Sequence, residues 1–165
     1  MARLVADSIH LEGDAATSTA LATAEPPRFI HIASHGRFRA EVPSMSGVRL
    51  ADGWLRALDF HRFALKGSLV VLSGCETGVS HVDAGGEIRG LVRGVFASGA
   101  GDLVVSSWRV DDRAAAGLMA RFHEVLGSGV SPGAALRAAQ REAASAGLSP
   151  WHWAAFSAWT RRLPG

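Results

Sequence analysis

The sequence predicts an α/β domain of three layers built on a mostly parallel central sheet. Apolar runs end in small turn-forming residues at three places: Phe29-Ile30-His31-Ile32-Ala33, Leu69-Val70-Val71-Leu72 and Leu103-Val104-Val105. Runs of that length, bounded by turn residues, read as strands buried on both faces. Segments of helical period alternate with them, so the chain runs strand, helix, strand, helix. With 165 residues there is room for one sizeable core but not for two comfortable ones, and one domain is expected over residues 1–165.

In order, residues 4–12 alternate like an edge strand, Gly13-Asp14 turns, and residues 17–24 read as a short helix stopped by Pro26-Pro27. The strand from Phe29 to Ala33 delivers Ser34-His35-Gly36. After a polar segment over residues 37–46, Val48 and Leu50 alternate between glycines and predict a short strand, part of a hairpin over the site. Apolar residues at Leu55, Leu58, Phe60, Phe63 and Leu65 predict an amphipathic helix closed by Lys66-Gly67. The strand Leu69–Leu72 then reaches Cys75 and a glycine-rich loop over residues 76–86, of the kind that frames a substrate.

Glu87 opens the next helix, with Ile88, Leu91, Val92, Val95 and Phe96 on one face. Gly90 and Gly94 on it suit close packing against the sheet, and Ser98-Gly99 ends it. A strand from Asp102 leads to Trp108. Residues 112–127 form a helix with Leu118, Met119, Phe122, Val125 and Leu126 inward, and Ser131-Pro132 caps a last helix to about Ala146. Residues 151–160, rich in Trp and Phe, read as a closing strand. No repeat, linker or low-complexity segment interrupts the chain.

Composition narrows the function. No stretch approaches the roughly 20 apolar residues of a membrane span, and the N-terminus has no apolar core of a signal peptide. A single cysteine excludes an internal disulfide and suits a reducing, cytoplasmic compartment. The formal charge is only +2, and the arginines are scattered among acids, so neither nucleic acid nor a membrane is an expected partner.

In open α/β sheets the chemistry sits beyond the carboxyl ends of the strands. Cys75 and His35 both follow strands there, the minimum set for a thiol nucleophile and its base. A free thiol is only a few per cent thiolate at neutral pH, and a neighbouring imidazole supplies the missing proton acceptor. Gly36 and Gly74 would let backbone N–H groups approach a reacting carbonyl. The rival is a Cys75 that is merely a small buried hydrophobe.

His31 and His35 form H-x-x-x-H, but on a strand and without the glutamate of a metalloprotease, so His31 reads as a core or near-site histidine. A zinc hydrolase drawing on His31, His35, Cys75 or His81 is the metal-dependent alternative; otherwise no metal or cofactor is expected. Asp111 and Asp112 either cap a helix or form an anionic subsite for a cationic side chain, and spacing leaves both readings open. Glu87 reads as a helix-start charge, and Trp151, Trp153 and Phe156 as core.

Taken together, His35-Gly36, Ser73-Gly74-Cys75-Glu76-Thr77-Gly78, Gly86-Glu87, Ser107-Trp108-Arg109-Val110-Asp111-Asp112 and Trp153-Ala154-Ala155-Phe156 resemble the CHAT domain. This caspase-like peptidase domain is related to separases, gingipains and caspases and is often fused to tetratricopeptide repeats. The resemblance covers the chain from about Val5. It implies a caspase–hemoglobinase-like sandwich and a cysteine endopeptidase acting through a His35–Cys75 dyad. Backbone N–H groups of Gly36 and Cys75 would form the oxyanion hole. Asp112, with Asp111 as rival, would read a basic residue before the scissile bond, and Trp108 and Glu76 would complete substrate binding. The implied partners are a protein substrate and a regulatory sensor, such as a tetratricopeptide-type domain or protein. A catalytically silent interaction module of the same fold is the alternative.

Two features depart from the family pattern. Gly74 stands where many members have alanine, an exchange expected to be harmless. Members usually carry a further strand and helix before the segment at Val5, so the sheet is expected to lack an N-terminal strand and Met1 to begin a truncated or excised domain.

Overall fold

The four apolar residues Leu69–Leu72 form β5, the centre of the sheet, and all four are buried. Alternation puts Val70 and Leu72 in one core and Leu69 and Val71 in another, so a single strand supplies both faces. The computed structural model describes residues 9–22, 25–74 and 90–161. Within them the main sheet has the order β1-β5-β6-β7, with β1 (Phe29–Ile32) and β6 (Asp102–Ser106) flanking β5 in parallel. Ile32 and Val105 both register with Leu72. The last strand, β7 (Phe156–Thr160), is antiparallel to β6. Three parallel strands and one antiparallel strand make the mostly parallel sheet that the sequence predicts.

The crossover from β1 to β5 holds no α-helix. It holds a small antiparallel sheet, β2 (Gly36–Arg37), β3 (Gly47–Leu50) and β4 (Gly53–Arg56), followed by a 3₁₀ helix over Ala57–Arg62. The hairpin expectation is met, but the amphipathic helix expected from Leu55 is replaced by the end of β4 and this 3₁₀ segment. Its buried residues, Ala57 and Phe60, face the first core.

Helix α1 (Ser18–Leu21) is capped by Thr17, whose side chain accepts from the Ala20 N–H at 3.1 Å. Residues 9–12 form no strand, and residues 4–8 lie outside the described residues. Helix α2 (Leu91–Ala97) buries Leu91, Val92 and Val95. Gly90 precedes it at φ +92°, outside the helix, while Glu87 and Ile88 lie outside the described residues. Gly94 does pack closely, but against the Ala57 backbone of the 3₁₀ segment rather than the sheet.

The opposite face is covered by α3 (Asp112–Gly127) and α4 (Pro132–Ser145), which bury Leu118, Met119, Phe122 and Leu136 against Val71 and Val104. Between α4 and β7 the chain makes one short helix, α5 (Pro150–Trp153), where strand was expected. Pro150 at its first turn and Ser149 as N-cap explain the start. Gln140 on α4 ties this region down, donating to the carbonyls of Trp153 at 3.0 Å and Phe156 at 2.9 Å. Phe156 is core as expected, but Trp151 is 59% exposed and is not. No described helix is long and apolar enough to cross a membrane.

Candidate functional site at the carboxyl ends of the strands

The parallel strands β1, β5 and β6 all finish on the same edge, and their continuations bring Ser34-His35-Gly36, Ser73-Gly74 and Ser106 together. Ser73 N–H donates to the Ile32 carbonyl at 3.1 Å, which extends the β1–β5 ladder by one rung. The buried Ser106 hydroxyl donates to the Gly74 carbonyl. A Cβ on Gly74 would collide with the Ser34 carbonyl oxygen and lie 3.2 Å from the Gly36 nitrogen. Only glycine allows the two strand ends this approach, and an alanine at position 74 would force the backbone to shift.

The small sheet fixes the other half of the site. Arg49 N–H donates to the His35 carbonyl at 2.8 Å, and the Ser34 hydroxyl donates to the Arg49 carbonyl. Gly36 registers with Val48, one step along from this hydrogen-bonded pair. In an antiparallel ladder bonded and non-bonded pairs alternate, which turns the Gly36 N–H away from β3. Its nitrogen lies 3.2 Å from the position a Gly74 Cβ would take. The His35 side chain is exposed. Cys75, Glu76, His81 and Glu87 lie outside the described residues.

The two aspartates separate by role. Asp111 is the N-cap of α3: its Oδ1 accepts from the N–H groups of Arg113 at 3.0 Å and Ala114 at 3.1 Å. Asp112, the next residue and also exposed, enters no described hydrogen bond or ion pair. Beside them Trp108 is half-buried and donates its indole N–H to the Trp151 carbonyl at 2.9 Å. The two indole rings lie 5.5 Å apart at 34°.

His31 faces α3 from β1. Its Nε2 is 2.8 Å from Ser73 Oγ and its Nδ1 is 2.9 Å from Nε2 of His123. The histidine rings are 5.0 Å apart, and Phe29 and Phe122 pack on His123. Burial, reinforced by His123, pushes His31 down to about 4, and burial also lowers His123. Both ring nitrogens of His31 are thus occupied, as a satisfied near-site histidine requires. Among the described residues no group of three His, Cys, Asp or Glu could hold a metal ion.

Sequence reasoning missed His123, Ser106 and Arg49. For His123 a signal existed: it stands four residues after Met119 and beside Phe122 on the apolar stripe of α3, so it had to be buried and to find a partner. Ser106 and Arg49 act through hydrogen bonds that only the fold creates.

The model of the CHAT domain family matches residues 1–161, nearly the whole chain. The mixed α/β architecture with its mostly parallel sheet is consistent with the caspase-like fold of that family. No curated protein matches the chain.

Proposed function

From the premise that this chain belongs to the CHAT domain family, a caspase-like peptidase family, we propose that it is a cysteine endopeptidase cleaving after arginine or lysine. The observation that carries the reading is the close approach of Ser34 and Gly36, the two neighbours of His35 in the chain, to Gly74, the residue peptide-bonded to the only cysteine.

In this reading Cys75 Sγ attacks the scissile carbonyl carbon as its proton passes to the His35 imidazole. Negative charge gathers on the carbonyl oxygen and is met by the N–H groups of Gly36 and Cys75, each worth about 3 kcal/mol in the transition state. Collapse breaks the C–N bond, and His35 returns the proton to the leaving amine. Water then attacks the thioester, giving up a proton to His35, and releases the acid and the thiol.

Asp112, with no described partner of its own, accepts the guanidinium or ammonium of the substrate, while Asp111 is spent on its helix cap. Trp108 and Glu76 flank the substrate. A sensor domain or partner, of the tetratricopeptide type or another, controls the activity through the glycine-rich stretch of residues 76–86.

Intact-mass detection of covalent labelling by an electrophilic peptide with arginine before the warhead tests the reading. Labelling should exceed that by matched leucine and aspartate probes and vanish in Cys75→Ala. In His35→Ala it should slow by roughly a hundredfold to ten-thousandfold. Asp112→Ala should slow the arginine probe alone by roughly tenfold to a hundredfold. A Cys75 that reacts with a simple thiol reagent but with no peptide probe would favour the silent interaction module.

A further inference from the structure

Two imidazoles, His123 buried and His31 half-buried, have no part in the chemistry just described, yet they end on the strand that leads to Cys75. Ser73 Oγ, His31 and His123 form one hydrogen-bonded chain, 2.8 Å and 2.9 Å between its members, running from the end of β5 through β1 into α3. We propose that His31 and His123 are positioning residues, which hold Ser73 and with it the stem from which Cys75 emerges. The inference rests on the endopeptidase reading for its catalytic consequence, though not for the hold itself.

Three contacts among the described residues hold the stem. Ser73 N–H is bound to the Ile32 carbonyl, the Gly74 carbonyl to Ser106, and the Ser73 side chain to His31. The first is a backbone bond in the plane of the sheet, and the second comes from the Ser106 side chain. The third runs to the α3 face through two further side chains, His31 and His123, and can be broken without touching the backbone ladder. His31 cannot turn away: its second nitrogen is bound to His123, whose ring is wedged between Phe29 and Phe122. A neutral imidazole offers one donor and one acceptor, so the neutral pair satisfies both bonds of His31. The chain ends at His123 Nδ1, buried without a partner among the described residues.

The same connectivity resembles a nucleophile, a base and an orienting group, with Ser73 in the first role. The chemistry argues against that role. A useful base titrates near the working pH, whereas burial holds His31 at about 4. In a triad the third group also stabilises the imidazolium that forms, and a neutral histidine with an orphaned far nitrogen supplies no negative charge. The geometry therefore positions rather than reacts.

The test uses the full chain and the variants Ser73→Ala, His123→Phe and Ser73→Ala/His123→Phe, with His123→Gln as the conservative replacement that keeps an N–H donor. Two quantities are read: the rate constant and apparent affinity of labelling by the arginine peptide electrophile, and amide hydrogen exchange at Ser73 and Gly74. Each single variant should lower the labelling rate constant by about tenfold to a hundredfold with little change in affinity, the signature of misplacement rather than lost binding. The double variant should be no worse than either single one, because both break the same chain. His123→Gln should recover most of the rate, and exchange at Ser73 and Gly74 should quicken wherever the chain is broken.

Full labelling rates in both single variants, or losses that multiply in the double variant, would overturn the inference. If the wild-type protein takes no peptide probe, the endopeptidase reading fails, and exchange alone decides: quickened exchange in the variants supports the hold, unchanged exchange overturns it. Labelling of Ser73 by a fluorophosphonate in Cys75→Ala would overturn it in favour of a serine nucleophile.

Discussion

Asp111 and Asp112 are neighbours with opposite expected costs. Asp111 satisfies two of the orphan N–H groups at the start of α3, so Asp111→Ala should lower stability by about 1 kcal/mol. Asp112→Ala should leave the urea midpoint unchanged while slowing the arginine probe. Equal loss of stability in both would remove the distinction on which the assignment of Asp112 rests. The sequence could not separate the pair, because which residue takes the N-cap depends on where the backbone leaves the extended region. Gly74 shows the same limit from another side. The Ser-Gly signal marked a strand end, but the contact that makes glycine obligatory comes from Ser34, forty residues earlier in the sequence. Gly74→Ala should destabilise by about 1–3 kcal/mol, the usual range for overpacking, measurable by urea unfolding.

Among the elements, those with a long single period were legible and those set by a neighbour were not. The buried strands and helices α3 and α4 announce themselves through apolar runs, caps and stripes. The segment from Leu55 does not, since its apolar spacing fits either a helix or a strand end followed by a 3₁₀ turn. Pairing of β4 with β3 chose the latter. Residues 151–160 misled because aromatic content favours strand, while Ser149 and Pro150 fix one helical turn first. Two glycines test how far an element answers to its neighbours. A Cβ on Gly94 of α2 would strike the Ala57 carbonyl, whereas one on Gly117 of α3 meets nothing within 4 Å. Gly94→Ala should therefore lower stability by about 1–3 kcal/mol, and Gly117→Ala should raise it by about 0.5–1 kcal/mol. Thermal unfolding of the two variants side by side checks the contrast. Opposite signs are expected from one and the same substitution.

At the scale of the molecule, one sheet separates two cores, and the histidine pair lies on the α3 side of it. The α/β class was readable because strands that serve both cores must be apolar throughout. What was not readable is that His31 and His123 are each other's partners, because they are 92 positions apart. That pairing gives acid stability a particular window. In the folded protein His31 is held down to about 4 by burial and by His123, against an ordinary value of 6.5. The unfolded chain therefore takes up the proton first as pH falls. The stability associated with the neutral pair is fully present above about 6.5, declines between 6.5 and 4, and levels off below 4. The shift corresponds to at most about 3 kcal/mol for His31, and His123, lowered by burial too, adds in the same direction. The stability from Asp52, held low by hydrogen bonds from Ser18, is present above its ordinary value of 3.8 and is lost only below it, outside this window. Urea midpoints at pH 7.5, 6, 5 and 4.5 should fall steadily in the wild-type protein. In His31→Leu the starting stability is lower, but the slope over the same interval should be shallower by up to one proton's worth. Parallel slopes in the two proteins would mean that His31 is already free to charge in the fold, and that the chain from Ser73 to His123 does not hold it.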